Sequence, residues 1–386
     1  MKTPYFVIQE KLLAENIGGF QEALNTLWPG SILAYSVKTN SLPWILKWMD
    51  AHGVYAEVVS DEEYQLSLLS GCPADRIVFN GPVKTEEYLR KAFEGGSIIN
   101  IDSAHELEFI RREKPAVRGI IGVRVNVDPF IFESHDVGYQ EDGFRFGFGY
   151  ENGELLKAIE TLREVYGDIP IGLHMHVNSI TRALGVYKAI ARYAVKIVTD
   201  YDLTPAYIDI GGGFFGGVPG KTTPMEYIAG IREELEKAID PAGTFLILEP
   251  GSAAVGSTVE LHTSVIDVKD TAHGRIVTTD GSRIHIDPLW LKKGYMYTTD
   301  SKRPSHPRQV VCGYTCMDHD RLMVIEDKPE LKAGDHIVYH RVGNYTITFG
   351  GPFIRPFPPV YVQAGEQLEL VRKQMTMDEY YRMETV

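Results

Sequence analysis

The sequence predicts an α/β fold: a TIM-like (β/α)8 barrel over residues 11–254, followed by a mostly antiparallel β domain over residues 255–386. Three observations carry that reading. Up to about residue 255, eight short apolar runs rich in Val, Ile, Tyr and Phe alternate with amphipathic stretches, which is the pattern of parallel strands joined by helices. The eight runs occupy roughly 220 residues, close to the usual span of one barrel. Beyond them the pattern changes to a period of two, and long helical patterns disappear until the extreme C-terminus.

Taken in order, "PYFVI" reads as a short strand before the helical pattern "QEKLLAENIGGFQEALNTL", and it could pair with either domain. The barrel strands follow as "SILAYSV" (31–37), "GVYAEVVS" (53–60), "RIVFNG" (76–81) and "IINIDS" (98–103), then "IIGVRVNV" (120–127), "IGLHMHVN" (171–178), "YIDIGGG" (207–213) and "FLILEPG" (245–251). Helices between them announce their ends. "SDEEYQLSLLSG" opens on Ser60 with Glu63 three residues on, a capping box, and closes on Gly71; "SAHELEFIRREK" repeats the box with Ser103 and Glu106. In the second domain, "VELHTSVIDVKDTAHGRIVTTDGSRIHI" alternates around a turn near His273-Gly274, and "DHIVYHRVGNYTI" reads the same way. No fixed short repeat and no low-complexity linker interrupts the chain.

Composition narrows the partners. The chain is 44% hydrophobic and 24% charged, ordinary globular material, and its formal net charge of −13 argues against nucleic acid, since phosphate contacts need a basic surface. Cys72, Cys312 and Cys316 are too few for a disulfide framework. The N-terminus has no apolar h-region, and no run of about 18 apolar residues exists to span a bilayer. The expectation is a cytoplasmic protein acting on a small molecule, with no membrane partner.

In such a barrel the open face lies at the C-terminal strand ends, so those ends are where chemistry is expected. They read Lys38; Glu57 and Ser60; Asn80-Gly81; Asp102-Ser103; Arg124 and Asn126; His174, His176 and Ser179; Gly211-Gly212-Gly213; and Glu249-Pro250-Gly251. Three successive glycines let backbone N–H groups approach an anion, and Ser179 and Gly251 add donors around a phosphate. A phosphate, a lysine at one strand end and a carboxylate at another converge on pyridoxal 5'-phosphate, held as a Schiff base on Lys38. Glu249 would keep the pyridine nitrogen protonated and His176 would pack flat on the ring, making the coenzyme an electron sink for a carbanion. A metal on His174 and His176 is the rival for that pair, and an outward-facing histidine is a third possibility. The expected site has no metal, because Lys38 and the glycines would then have no role.

The ordered set "YSVKTN", "GLHMHVNS", "DIGGGFFGG", "EPGS", "CGYTCMDHD" and "GNYT" resembles the fold-type III pyridoxal-phosphate decarboxylases, the group of diaminopimelate, ornithine and carboxynorspermidine decarboxylases, with alanine racemase more distant. The resemblance runs from about residue 5 to 365. It implies an alanine racemase-like fold in which residues 1–10 join the β domain, and a homodimer with shared active sites. By resemblance, Lys38 is the Schiff-base lysine and His176 the stacked histidine. Ser179, Gly211, Gly212 and Gly213 match phosphate contacts, Glu249 the carboxylate on the pyridine nitrogen, and Tyr345 a phosphate contact from the β domain. Arg124 and Glu57 match polar residues around the coenzyme, Gly251 and Ser252 complete "EPGS", and Cys316 matches a cysteine supplied by the partner subunit to protonate Cα after CO2 leaves.

The departures concern the substrate. Met317 stands where the ornithine and diaminopimelate enzymes carry an acidic residue for the distal amine, which leaves Asp318 to take over that task; Asp320 keeps the family's spacing. Ser252 replaces an arginine of "EPGR", and the arginine-proline pair for a distal carboxylate is missing around "IDPLW", so Arg283, His285 or Arg355 would have to supply that charge. The expected activity is removal of the α-carboxylate from an amino acid or a substituted one, such as a carboxylated polyamine or a biosynthetic conjugate. Diaminopimelate itself, or racemisation on the same fold, is the alternative.

Overall fold

A computed structural model describes residues 1–292 and 294–384, and the chain divides into two units, Asn16–Ala254 and Met1–Glu15 with Val255–Val386. The first strand, β1 (Tyr5–Gln9), and helix α1 (Glu10–Leu27) precede the barrel. Its strands are β2 (Ile32–Ser36), β3 (Tyr55–Val58), β4 (Ile77–Phe79), β5 (Ile98–Ile101) and β6 (Ile120–Asn126), a two-residue side strand β7 (Phe148–Gly149) on β6, then β8 (Gly172–His174), β9 (Tyr207–Asp209) and β10 (Phe245–Leu248). All pair in parallel, and the β5–β6 pairing closes the ring of eight. Helices α2 (Pro43–Ala51), α3 (Asp61–Leu69), α4 (Glu86–Gly95), α5 (Ala104–Glu113), α6 (Glu154–Tyr166), α7 (Leu184–Asp200) and α8 (Pro224–Leu235) follow the strands in turn; after β10 only one turn remains, α9 (Ser252–Val255). The capping box of α5 forms as expected. In α3, Ser60 caps the Glu63 N–H, but Glu63 reaches past the N-cap to the Val59 N–H, so only half the box is made.

The barrel interior is layered, and the layers explain the site. Ala34, Val78, Ile98, Tyr207 and Ile247 form a buried apolar floor, with Ile32, Tyr55 and Ile120 packed against it. The Tyr207 ring extends over the floor because the next two strands, β8 and β6, carry Gly172 and Gly122, which pair with each other; a Cβ on either would overlap the ring or its hydroxyl. Two residues further along each strand, on the same face by the pleat, the apolar residue or glycine gives way to a polar one. The result is a ring of eight: Ser36, Glu57, Asn80, Asn100, Arg124, His174, Asp209 and Glu249, all buried.

The other unit is a nine-stranded sheet. Besides β1 it holds β11 (Val259–Thr271), β12 (Gly274–Thr279), β13 (Met296–Thr299), β14 (Ser305–Cys312), β15 (Arg321–Pro329), β16 (His336–His340), β17 (Val360–Ala364) and β18 (Gln367–Arg372), with a short α10 (Arg283–Ile286) and the terminal α11 (Met377–Glu384). Pairings are antiparallel except β1–β17 and β12–β14. The N-terminal strand pairs with β11 and β17, which resolves its partner. The run "DHIVYHRVGNYTI" is a strand only as far as His340; Arg341 and Tyr345 both take left-handed backbone conformations, which no strand continues through.

Candidate active site at the barrel mouth

The strand that was expected to end on Lys38 stops at Ser36, and Val37–Thr39 form a single 3-10 turn that carries Lys38. That turn leaves the ammonium group partly exposed while its Nζ donates to Glu57 Oε2 at 2.8 Å. Ser36 Oγ donates to the same oxygen at 2.6 Å, and Asn80 Nδ2 donates to Glu57 Oε1 at 3.1 Å. Burial alone would raise the Glu57 pKa, but the Lys38 ammonium and these hydrogen bonds outweigh it and hold the carboxylate below its ordinary range.

Asn80 ties this group to Glu249, donating to its Oε1 at 2.6 Å. Its amide is oriented by a chain of donors from the floor: Tyr207 Oη donates to Asn100 Oδ1 at 2.6 Å, and Asn100 Nδ2 donates to Asn80 Oδ1 at 2.8 Å. Glu249 is buried, and burial followed by repulsion from Asp209 and Glu57 pushes its pKa well up. On the far side, Arg124 Nη1 donates to Asp102 Oδ2 at 3.3 Å with its guanidinium 4.5 Å from the Phe146 ring. Asp102 is fixed in turn: its Oδ1 accepts from the Gly147 N–H, and its own N–H donates to Glu106, whose other oxygen pairs with the fully buried Lys84 at 2.6 Å.

His174 faces inward, its Nε2 3.8 Å from Glu249 Oε2, so it is not an outward-facing histidine packed against a helix. His176 sits one step higher, where its Nδ1 accepts from the Gly212 N–H at 3.3 Å. Burial and the nearby Arg124 and Lys38 charges lower both imidazoles, His176 to about 3, so both rings are neutral at physiological pH. Gly211 and Gly213 adopt positive φ, and the turn after β9 lies against that after β10 through the Glu249 N–H to Gly211 carbonyl bond of 2.7 Å. Gly251 and Ser252 open α9 beside it. Ser179 is buried, but its hydroxyl is already engaged, accepting from the Arg182 N–H of its own loop and donating to the Asp136 carbonyl of the segment after β6.

In the β unit the expected substrate residues take different roles. Cys316 and Asp318 are exposed and Met317 is half-buried. Asp320 does not reach outward: buried, it accepts from Ser282 Oγ, Thr315 Oγ1 and the Arg283 N–H, and so clamps the loop that bears Cys316. Arg283 is bound to Asp287 at 2.8 Å. His285 supplies no charge, because it is packed among Phe6, Phe357 and Tyr314 and burial lowers its pKa to about 4. Arg355 is exposed, its guanidinium 4.7 Å from the Tyr314 ring. Tyr345, half-buried in its left-handed turn, stacks edge-on with Phe349.

Sequence reasoning missed Ser36, Asn100 and Asp209 as site residues, although each stands two positions beyond a floor residue, a spacing that the pleat makes readable.

Known proteins give the same picture. The family model for the pyridoxal-binding domain of pyridoxal-dependent decarboxylases matches residues 14–256. Diaminopimelate decarboxylase of Archaeoglobus fulgidus is 27% identical over 385 residues, covering 96% of this chain and 90% of that protein; the Bacillus subtilis enzyme is 26% identical, covering 99% and 91%. Among solved structures, the diaminopimelate decarboxylase of M. jannaschii superposes with a TM-score of 0.87 at 23% identity over 100% of this chain and 93% of that one. The Helicobacter pylori enzyme, complexed with L-lysine, gives 0.84 at 23% identity, covering 100% and 97%. With its pyridoxal-binding span matched throughout and its fold that of these enzymes, the chain belongs to the pyridoxal-dependent decarboxylases, which use pyridoxal phosphate to remove a carboxylate from an amino acid.

Proposed function

We propose that Lys38 is the residue that bonds the coenzyme's aldehyde, and that the chain decarboxylates a substituted amino acid rather than a plain diamino acid. The first part rests on one observation: Lys38 and Glu249 stand at the two ends of one hydrogen-bonded chain that runs through Glu57 and Asn80, the amine partly exposed and the carboxyl buried. The residues present suit the coenzyme. Glu249 would meet its ring nitrogen and His176, neutral, its ring face, while Gly211 to Gly213, Gly251, Ser252 and Ser179, with Tyr345, would surround its phosphate. Bound there, pyridoxal phosphate supplies the electron sink that lets the Cα–carboxylate bond break. Glu57 keeps the Lys38 ammonium oriented, and Arg124, fixed by Asp102, offers a cation at the mouth. Cys316, exposed on a loop clamped by Asp320, is the proton donor to Cα in a partner's barrel, which makes the working unit a homodimer. Three cysteines without a disulfide among them fit a cytoplasmic setting.

The substrate proposal rests on Met317, whose thioether cannot pair with a distal ammonium. A carboxylated polyamine or a biosynthetic conjugate fits such a neighbour, and exposed Arg355 would meet an anionic group on it. Diaminopimelate is the second reading, favoured by the relatives' activity; Asp318 and Arg355 would then take its distal ammonium and carboxylate. Release of CO2 from a panel of α-amino acids, diaminopimelate and carboxylated amine conjugates decides between them. A kcat/KM at least tenfold higher for a conjugate than for diaminopimelate is expected, and the reverse order would favour the second reading.

A further inference from the structure

Three ionisable groups of the ring have no role in the reading above as a set: His174, Asp209 and Glu249 lie with their ligand-type atoms all within 4.8 Å of one another, buried in the closed barrel. We infer that Asp209 and Glu249 share one proton, and that Asp209 is thereby the positioning residue that governs the charge of Glu249, with His174 as a neutral wall behind them.

The register makes the cluster obligatory. His174 and Asp209 are direct partners across β8 and β9, and Glu249 follows two residues after the partner of Asp209 on β10. Asp209 Oδ1 accepts from the Gly211 N–H at 2.8 Å, but its Oδ2 has no hydrogen-bond donor among the described residues, nor does either ring nitrogen of His174 have a partner. A buried carboxylate oxygen with no donor, a few ångströms from a second carboxylate, is an arrangement that a single proton relieves by turning repulsion into a hydrogen bond. The groups facing the pair are Glu57, which adds negative charge, and Lys38, Arg124 and His176, with Tyr207 below. Burial first, with Glu57 adding to it and the interaction with Glu249 and the Gly211 N–H opposing it, pushes Asp209 up to about 7; burial, then Asp209 and Glu57, pushes Glu249 well above its ordinary value. Burial and the neighbouring cations hold His174 well below its ordinary value, so the proton stays on the carboxyls.

The consequence for the coenzyme rests on the reading above: the pair takes up or releases one proton as a unit, so a ring nitrogen that held that proton would leave both carboxylates ionised, with Glu249 offset by the positive charge of the nitrogen.

Infrared spectroscopy of the coenzyme-free protein tests the shared proton directly. At pH 8, above the value of about 7 for Asp209, a protonated-carboxyl C=O band that shifts in D2O is expected, and it should fade as pH rises further. Asp209→Asn and Glu249→Gln should each remove it at pH 8 with the fold intact by circular dichroism, while His174→Gln should keep it. A band that survives either carboxyl substitution, is lost in His174→Gln, or is absent from the wild type would overturn the inference, as would a stoichiometric divalent ion in the purified protein. In the reconstituted protein, Asp209→Asn should move the pH midpoint of the coenzyme's visible absorption by at least one unit; an unmoved midpoint overturns the coupling. Failure of the protein to bind pyridoxal phosphate would instead sink the proposed function and leave the infrared result standing.

Discussion

At the scale of single residues, the site is built by deciding which groups stay neutral. His285 shows the logic away from the barrel. Its ring is enclosed by Phe6, Phe357 and Tyr314, its Nδ1 has no partner among the described residues, and its pKa is lowered to about 4. A folded pKa below the ordinary 6.5 means the neutral ring contributes stability that is present above pH 6.5 and is lost as pH falls toward 4, since the unfolded chain binds the proton first. At pH 5 that loss is about 2 kcal/mol relative to pH 8. His285→Phe removes the titration and keeps an aromatic ring among aromatic rings. Its stability, measured by urea unfolding, should gain on the wild type by about that amount between pH 8 and pH 5; an equal gap at both pH values would contradict the assignment. His285 was also a residue that sequence reasoning placed at the substrate, because nothing in "SRIHID" reveals that a turn of helix buries it.

Strands and turns carry the next level. The eight barrel strands were legible as apolar runs because a parallel sheet buried on both faces needs Val, Ile and Leu almost continuously. Their ends were less legible: the runs "RIVFNG" and "YIDIGGG" give strands of only three residues, since the polar and glycine tail of each run is where the backbone turns out of the ladder. The same rule moved Lys38 off its strand and into a 3-10 turn. What the pattern could not show was Tyr207 lying across the floor, because the glycines that admit it, Gly122 and Gly172, are far from it in the chain. Gly172→Ala should therefore destabilise the barrel by on the order of 3 kcal/mol through overpacking. Gly18→Ala, in the interior of α1 with open space where the Cβ would go, should instead stabilise by about 0.5–1 kcal/mol. Thermal unfolding of the two variants checks the contrast, and a Gly172→Ala protein as stable as the wild type would mean the Tyr207 ring does not lie there.

For the whole molecule, the proposed chemistry draws on residues of both units. Lys38, Glu57, Asn80 and Glu249 all belong to the barrel, whereas Cys316, Met317, Asp320 and Tyr345 belong to the β unit. In the proposed homodimer each site takes its lysine from one subunit and its cysteine from the other, so two inactive variants can complement. Mixing Lys38→Ala with Cys316→Ala and allowing subunits to exchange should restore about a quarter of wild-type activity, since half the dimers then hold one intact site of two. No recovery despite exchange, shown by mass spectrometry of the mixed dimers, would mean that the site lies within one subunit. The substrate remained the least legible part of the sequence because it depends on single side chains such as Met317 and Arg355, whose positions no period in the sequence encodes.

The claim on which the rest depends is that the turn after β2 presents Lys38 to pyridoxal phosphate. Reconstitution with the coenzyme, reduction with borohydride, and peptide mapping by mass spectrometry test it most directly. A pyridoxyl group on the peptide containing "AYSVKTN", at Lys38 and absent from Lys38→Ala, is the predicted result. An adduct on another lysine, an adduct that persists in Lys38→Ala, or no adduct after full reconstitution would contradict it.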